Sequence, residues 1–239
     1  MAKLWLQLQE NLLFVLVCIA IILGLSLVAH FAERFLSAKR TVTPARRVSI
    51  IGICAAIAAV LHMLDFPLIF IAPEFYKLDF SELPVMLCGF YLGPSATVAC
   101  EGIKILLKLL LKGTSTAFVG DFANFAVGCS LVLPATIVYH IKKTRVSSLW
   151  GLATGTFCLT VFGTAFNAIY LVPKFAELYG MPLDTIISLG TAIHAGVTDL
   201  TTFVIFCVAP LNLLKGCMIS LLTTLLYKRV ARPLFGKGE

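Results

Sequence analysis

Apolar runs long enough to cross a bilayer recur along this chain, and its charges are gathered between them. A membrane helix takes about 20 mostly apolar residues, so the 239 residues have room for six or seven. Hydrophobic residues make up 59% and charged residues 13%, against ~45–50% and ~25% in average soluble chains. A soluble globular fold is excluded, and an all-α integral membrane protein is expected.

The formal charge of +7 reports topology rather than affinity for nucleic acid. Lys39, Arg40, Arg46 and Arg47 precede the second apolar run; Lys142, Lys143 and Arg145 sit mid-chain; Lys228, Arg229, Arg232 and Lys237 lie at the end. If helices alternate across the membrane, these clusters share one side, which the positive-inside rule makes cytoplasmic. Asp65, Glu74, Asp79, Glu82, Glu177 and Asp184 then concentrate on the other. This topology puts the N-terminus outside and the C-terminus in the cytoplasm.

The spans read as follows. A first helix over about Leu12–Leu27, ending near Phe35, is retained rather than cleaved, because no small-residue cleavage site follows it. Residues 1–46 thus form an additional N-terminal helix and a basic loop, residues 47–233 the main domain, and 234–239 a tail. The second helix covers Arg47–Met63. Asp65 to Pro84, with three prolines, cannot span and forms a long external loop, the kind of segment that often carries function. Val85–Leu92 ends at a Gly93-Pro94 turn. Pro94–Leu111, Thr116–Ile141 and Leu149–Val172 follow, and Pro173 is expected to stop the last of these. Leu183 onward makes a short external helix, and Phe203–Tyr227 is the final span, interrupted by Pro210.

No catalytic signature is present: HExxH, GxSxG and phosphate-binding loops are all missing. The eight cysteines lie within apolar runs and form no CxxC pair, so they read as buried thiols. The four histidines are scattered, and neither a metal nor a resident cofactor is expected. The chain therefore does not read as an enzyme.

Polar groups inside the helices are the informative feature. Asn124, Asn167, Asn212 and Lys215 fall on the last three spans. A charged side chain at the bilayer centre costs ~2.5–3.5 kcal/mol, and Lys215 follows Pro210, which removes a backbone donor and bends its helix. One such Asn could simply bond a neighbouring helix. Together the four indicate a shared pocket whose amides and ammonium suit a planar heterocycle with adjacent C=O and N–H edges. Phe118, Phe122, Phe125, Phe166, Tyr170 and Phe175 are candidate walls.

Glu101, Lys104, Lys108 and Lys112 form one helical stripe. Glu101 can pair with Lys104, while Lys108 and Lys112 are expected to snorkel outward. Facing a pocket mouth instead, the stripe would favour an anionic tail such as a phosphate. Small residues four apart, Ala55/Ala59 and Gly151/Gly155, permit close helix approach, either within the fold or to a partner.

Several of these segments together resemble the riboflavin-specific S components of energy-coupling factor (ECF) transporters. They are Tyr76-Lys-Leu-Asp-Phe-Ser-Glu-Leu-Pro84, Lys112-Gly-Thr-Ser-Thr116 through Gly120-Asp-Phe-Ala-Asn124, the Asn167-x5-Pro173 spacing, and Ala209-Pro-Leu-Asn-Leu-Leu-Lys215 running to Tyr227-Lys-Arg229. The resemblance covers roughly Arg47 to Pro233. It implies a six-helix S-component core, to which this chain adds one helix. It implies an outward-facing flavin site lined by Asn124, Asn167, Asn212 and Lys215, with the Leu78-Asp79 loop covering the ligand; of the candidate walls, Tyr170 is counted with these as substrate-binding. It further implies that the Ala55/Ala59 face docks on a transmembrane coupling subunit driven by two ATPases in a bacterial cell membrane. Riboflavin is then cargo rather than cofactor. Its phosphate, another vitamin, or a self-standing carrier are the alternative readings.

Overall fold

The computed structural model describes residues 2–36, 42–114, 116 and 118–235. Lys39, Arg40, Lys237 and the rest of the 236–239 tail lie outside the described residues, as do the side chains of Lys228, Arg229 and Arg232. Among the described residues, ten helices and one short hairpin follow in order: α1 (Ala2–Phe35), α2 (Pro44–Met63), β1 (Phe66–Pro67), β2 (Lys77–Leu78), α3 (Glu82–Leu92), α4 (Pro94–Lys112), α5 (Val119–Lys142), α6 (Arg145–Phe166), α7 (Val172–Tyr179), α8 (Leu183–Thr191), α9 (Leu200–Phe203) and α10 (Ala209–Phe235). The expected all-α membrane architecture is present.

Five stretches among the described residues are long and apolar enough to cross a membrane: Leu16–Phe35, Pro44–Met63, Val119–Lys142, Arg145–Glu177 and Leu200–Tyr227. Two of the helices expected in the bundle fall outside these five. Helix α4 has the length, but its four charges keep it off that set. Helix α3 has 11 residues, a rise of about 16 Å against a hydrocarbon core of about 30 Å. It covers half a bilayer, and its N-terminal Glu82 is left deep inside the bundle, under the α2–α3 loop.

Gly93 turns α3 into α4 with φ +106°, a conformation that glycine reaches at no steric cost. Near this turn Arg47 donates to Ser95 Oγ at 2.7 Å and to Glu33 of α1, and His140 at the end of α5 sits 3.0 Å from the Gly89 carbonyl. The start of α2, the ends of α1 and α5 and the α3–α4 turn thus gather at one end of the bundle. The hairpin, the end of α4 and the start of α5 occupy the other.

Helices α5 and α6 lie in backbone contact. A Cβ on Gly151 would come within 2.5 Å of the Ala135 carbonyl oxygen, and one on Gly155 within 2.3 Å of that of Leu131. The Gly151/Gly155 pair is therefore an internal crossing. Ala55 and Ala59 are likewise internal, 0% and 1% exposed, and Ala55 shares the main core with Val85, Met86, Cys88 and Leu131. This corrects their placement on a docking face. The outward side of α2 carries Gly52, Ile53, Ala56, Ile57 and Val60.

Pro173 does not stop its helix. It falls in the first turn of α7, which continues from α6 through a π-helical turn at Asn167–Leu171. A second π turn, Val204–Val208, precedes Pro210 in the same way. A proline ring clashes with the carbonyl four residues back and lacks an N–H, and widening the preceding turn relieves both problems. Asn167 opens the first of these turns, and π turns cluster at functional sites.

Candidate functional site

A cavity of about 420 Å³ opens at the hairpin end of the bundle, within the size range of ligand sites. Its inner walls come from α5 (Ala123, Asn124, Val127), the first π turn (Asn167, Leu171) and α10 (Leu211, Asn212, Lys215). The β-hairpin, pairing Phe66 with Leu78 and Pro67 with Lys77, folds over it and contributes Tyr76, Leu78 and Asp79. Phe75 and Phe175 supply aromatic surface, their ring centroids 6.5 Å apart and edge-to-face.

The three asparagines differ in what they have left to offer. Asn167 donates to the Gly163 carbonyl at 2.7 Å and accepts from the Tyr76 hydroxyl at 2.7 Å. Burial, then the neighbouring Cys207, raises the Tyr76 pKa, so this hydroxyl stays a proton donor. Asn124 donates to the Gly120 carbonyl at 3.0 Å. Asn212 is 9% exposed, and its amide nitrogen has no hydrogen-bond partner among the described residues. It packs on Gly163, where a Cβ would stand 2.7 Å from that nitrogen.

Beneath the hairpin lies a buried charge network. Lys215 reaches Asp79 at 3.2 Å and Glu82 at 3.0 Å. Lys104, fully buried, bonds Ser81 Oγ at 3.1 Å, Glu82 at 3.4 Å and Glu101. His62 Nδ1 stands 3.5 Å from Asp79, which also accepts from the Ser81 amide at 2.8 Å. Burial alone would raise the Asp79 pKa, but Lys215 and His62 hold it well below the usual carboxylate range. Desolvating charges on this scale costs several kcal/mol per ion unless each is paired. Here the pairs connect the loop, α2, α3, α4 and α10, so the network fastens the hairpin over the cavity.

Leu78, Asp79, Asn124, Asn167, Asn212 and Lys215 all line this one cavity. Tyr170 does not; it packs with Phe166 and Phe175 beside Val119, Ala123 and Leu171. Of the six aromatics expected as walls, Phe175 lines the cavity, while Phe118 is 57% exposed and Phe125 is packed in the core near Ala29. The walls come instead from Phe75 and Tyr76, in a loop where helical periodicity says nothing. Lys108 does not snorkel outward: it bonds Asp121 at 2.5 Å and lines the cavity together with Lys112. Tyr76, His62, Glu82 and Asp121 also belong to the site; His62 lies outside every motif, and the other three fall within the segments that carry the family resemblance without being marked there as site residues. Glu82 has a legible signal all the same, since it lies eleven residues before Gly93 and Lys104 eleven after, at equal depth across the α3–α4 turn. Among the described residues no group of three His, Cys, Asp or Glu side chains is placed to hold a metal.

A loop-covered, amide-lined cavity at one end of a membrane helical bundle defines a small-molecule-binding membrane subunit. The chain belongs to the family of substrate-specific components of ECF transporters, whose model matches residues 46–227; α1 lies outside that match. Its relatives are transporters rather than enzymes. It is 34% identical over 186 residues to the riboflavin transporter RibU of Staphylococcus aureus (strain TCH60), spanning 78% of this chain and 90% of that one. It is 26% identical to the riboflavin transporter FmnP of Bacillus subtilis (strain 168), over 76% of this chain and 90% of that one. A solved S component of a bacterial ECF transporter superposes with a TM-score of 0.62 at 33% identity, covering 79% of this chain and 97% of that structure.

Proposed function

We propose that this chain captures riboflavin at the outer face of a bacterial cell membrane and hands it to an ATPase-driven ECF coupling module. The observation that carries the reading is the cavity itself: three amide side chains between Phe75, Tyr76 and Phe175, under a covering hairpin. Asn124, Asn167 and Asn212 line it together, an amide set that suits the adjacent C=O and N–H edges of a planar heterocycle. The relatives named riboflavin transporters support the same cargo. The cavity end is then external, placing the N-terminus outside and the basic end of the bundle in the cytoplasm.

A visible absorption spectrum of the protein, purified in detergent from flavin-containing cells, tests this. Flavin bands that survive washing are expected. A colourless preparation that also fails to quench added riboflavin fluorescence would sink the reading in favour of another vitamin.

Coupling is assigned to the outward face of α2. A methyl group added at Gly52 would meet no described atom within 4 Å, and Ala56 follows one turn on, so a partner helix can approach closely. Helix α1 packs along α4 and α5, anchored by the Glu33–Arg47 pair at 3.1 Å, and leaves this face of α2 exposed among the described residues. An intact docking face argues against a self-standing carrier. Ala56→Leu is expected to remove most flavin uptake by cells while the purified protein still binds flavin. Ala59→Leu, inside the core, is expected to lower thermal stability instead. The reverse pattern would place the docking face elsewhere.

A further inference from the structure

A second cavity, of about 330 Å³, lies on the flank of the bundle between α1 and α4. Ile22, Ser26 and Ala29 of α1 wall it on one side, at the i, i+4, i+7 spacing of a single helical stripe. Ser95, Ala99, Gly102 and Leu106 form the matching stripe on α4, and the buried Phe125 ring closes the floor. Small residues open the groove: a Cβ on Gly102 would meet one described atom within 4 Å, on the Phe125 ring at 3.7 Å. From Ser95 to Leu106 the groove runs three helical turns, about 16 Å, half of a hydrocarbon core of about 30 Å. It begins beside the Gly93 turn, away from the hairpin, and so covers the leaflet opposite the mouth of the flavin cavity. Glu33 lies one turn beyond Ala29 on the same α1 stripe and closes this end. It accepts from Arg47 and Ser95, and Arg47 also donates to Ser95 at 2.7 Å. Arg34 and Arg46, both exposed, adjoin Glu33 and Arg47 in the chain. Three guanidinium groups therefore accompany one carboxylate at the end of the groove.

We propose that this groove holds one acyl chain of an anionic glycerophospholipid, with its phosphate beside Arg34, Arg46 and Arg47. In the topology proposed above, the lipid comes from the cytoplasmic leaflet. The length of the groove is that of one leaflet, which suits a chain entering at the headgroup end and stopping near the midplane. Its size excludes a partner helix. One helical turn, about 10 Å across with a pitch of about 5.4 Å, takes about 420 Å³, more than the whole cavity. The charge at its end favours a negative headgroup over a zwitterionic one. Helix α1 lies outside the residues that match the family, so this lipid fills a seam particular to the chain and joins the extra helix to the core that holds the cargo.

The test is native mass spectrometry of the purified full chain in detergent, titrated with phosphatidylglycerol and with phosphatidylethanolamine of the same acyl composition. One phosphatidylglycerol per chain is expected to bind at about tenfold lower concentration than phosphatidylethanolamine. Gly102→Leu and Ser26→Leu fill the groove from its two walls. Each is expected to weaken that single adduct by about tenfold or more while a cooperative thermal melt is retained. R34Q/R46Q should still take up lipid but bring the two headgroups within about twofold of each other. A wild type that binds both lipids equally would overturn the proposal, and so would an adduct that survives both fillings undiminished. A headgroup preference unmoved in R34Q/R46Q would overturn the placement of the phosphate. If Gly102→Leu loses its cooperative melt, Ser26→Leu, on the exposed side of α1, decides the outcome. Riboflavin quenching, read in the same samples, reports on flavin capture separately.

Discussion

Lys215→Ala is expected to abolish flavin binding in the working concentration range and to lower thermal stability more than any other single change at the site. The Lys215 ammonium lies between Asp79 and Glu82, carboxylates that are 3% and 1% exposed. Its removal leaves Asp79 to His62 and the Ser81 amide, and Glu82 to Lys104. Breaking a buried pair from one side costs about 3–5 kcal/mol. Much of that cost falls on the hairpin, because Asp79 directly follows β2 and ties it into the network, and Lys215 itself lines the cavity. Binding should therefore drop by more than about a hundredfold. Lys215→Arg, which keeps the charge, should retain a measurable share of affinity. Adding Asp79→Asn to Lys215→Ala should recover part of the stability, since it deletes the orphaned charge. The depressed Asp79 pKa adds a pH arm. Its stabilising contribution is present above the unfolded value of about 3.9 and is lost as pH falls through the lower folded value. Lys215→Ala should move that loss toward higher pH. Thermal melts and flavin titrations that match the wild type would show that the hairpin is held some other way.

Gly155→Leu is expected to prevent recovery of folded protein, or to lower its melting temperature by an amount worth more than about 3 kcal/mol, beyond the usual range for an overpacked core. The added side chain meets the Leu131 carbonyl oxygen at 2.3 Å and the Ala135 methyl at 3.0 Å, and backbone atoms cannot rotate aside. Helices α5 and α6 carry Asn124 and, through the π turn, Asn167, so forcing them apart also opens the cavity. Ala153→Leu, on the exposed side of the same helix, is the control and should be tolerated. Equal stability of the two variants would mean that the helices do not approach this closely in the membrane.

Glycine and alanine spacing illustrates how far a one-dimensional pattern reaches. The Gly151/Gly155 repeat is a valid close-approach signal, but the same signal at Ala55/Ala59 points to the wrong face. Small residues four apart mark a stripe on a helix without saying what lies across from it. Only burial separates Ala55 and Ala59, packed inward, from Gly52 and Ala56 on another side of the same helix. The asparagines and Lys215 are legible because polar groups inside apolar helices stand out against their neighbours. Phe75 is not, because a loop residue has no periodicity to violate, and Tyr76 is legible only through the Tyr76–Pro84 segment that carries the family resemblance.

Local composition alone settles the class of environment, the order of the long helices, the clustering of basic residues at one end, and the polar positions that have to converge. The reason is that a helix in lipid must be apolar for a sufficient length, and a polar group within it needs a partner. Which partner it finds is a matter of tertiary structure. Asp79 and Lys215 are 136 residues apart in sequence and 3.2 Å apart in space, and Lys104 and Lys108 turn inward to carboxylates on other helices rather than outward to water. Pairing depends on how the helices are rotated and how deep α3 stops, and those are set by packing among all of them at once.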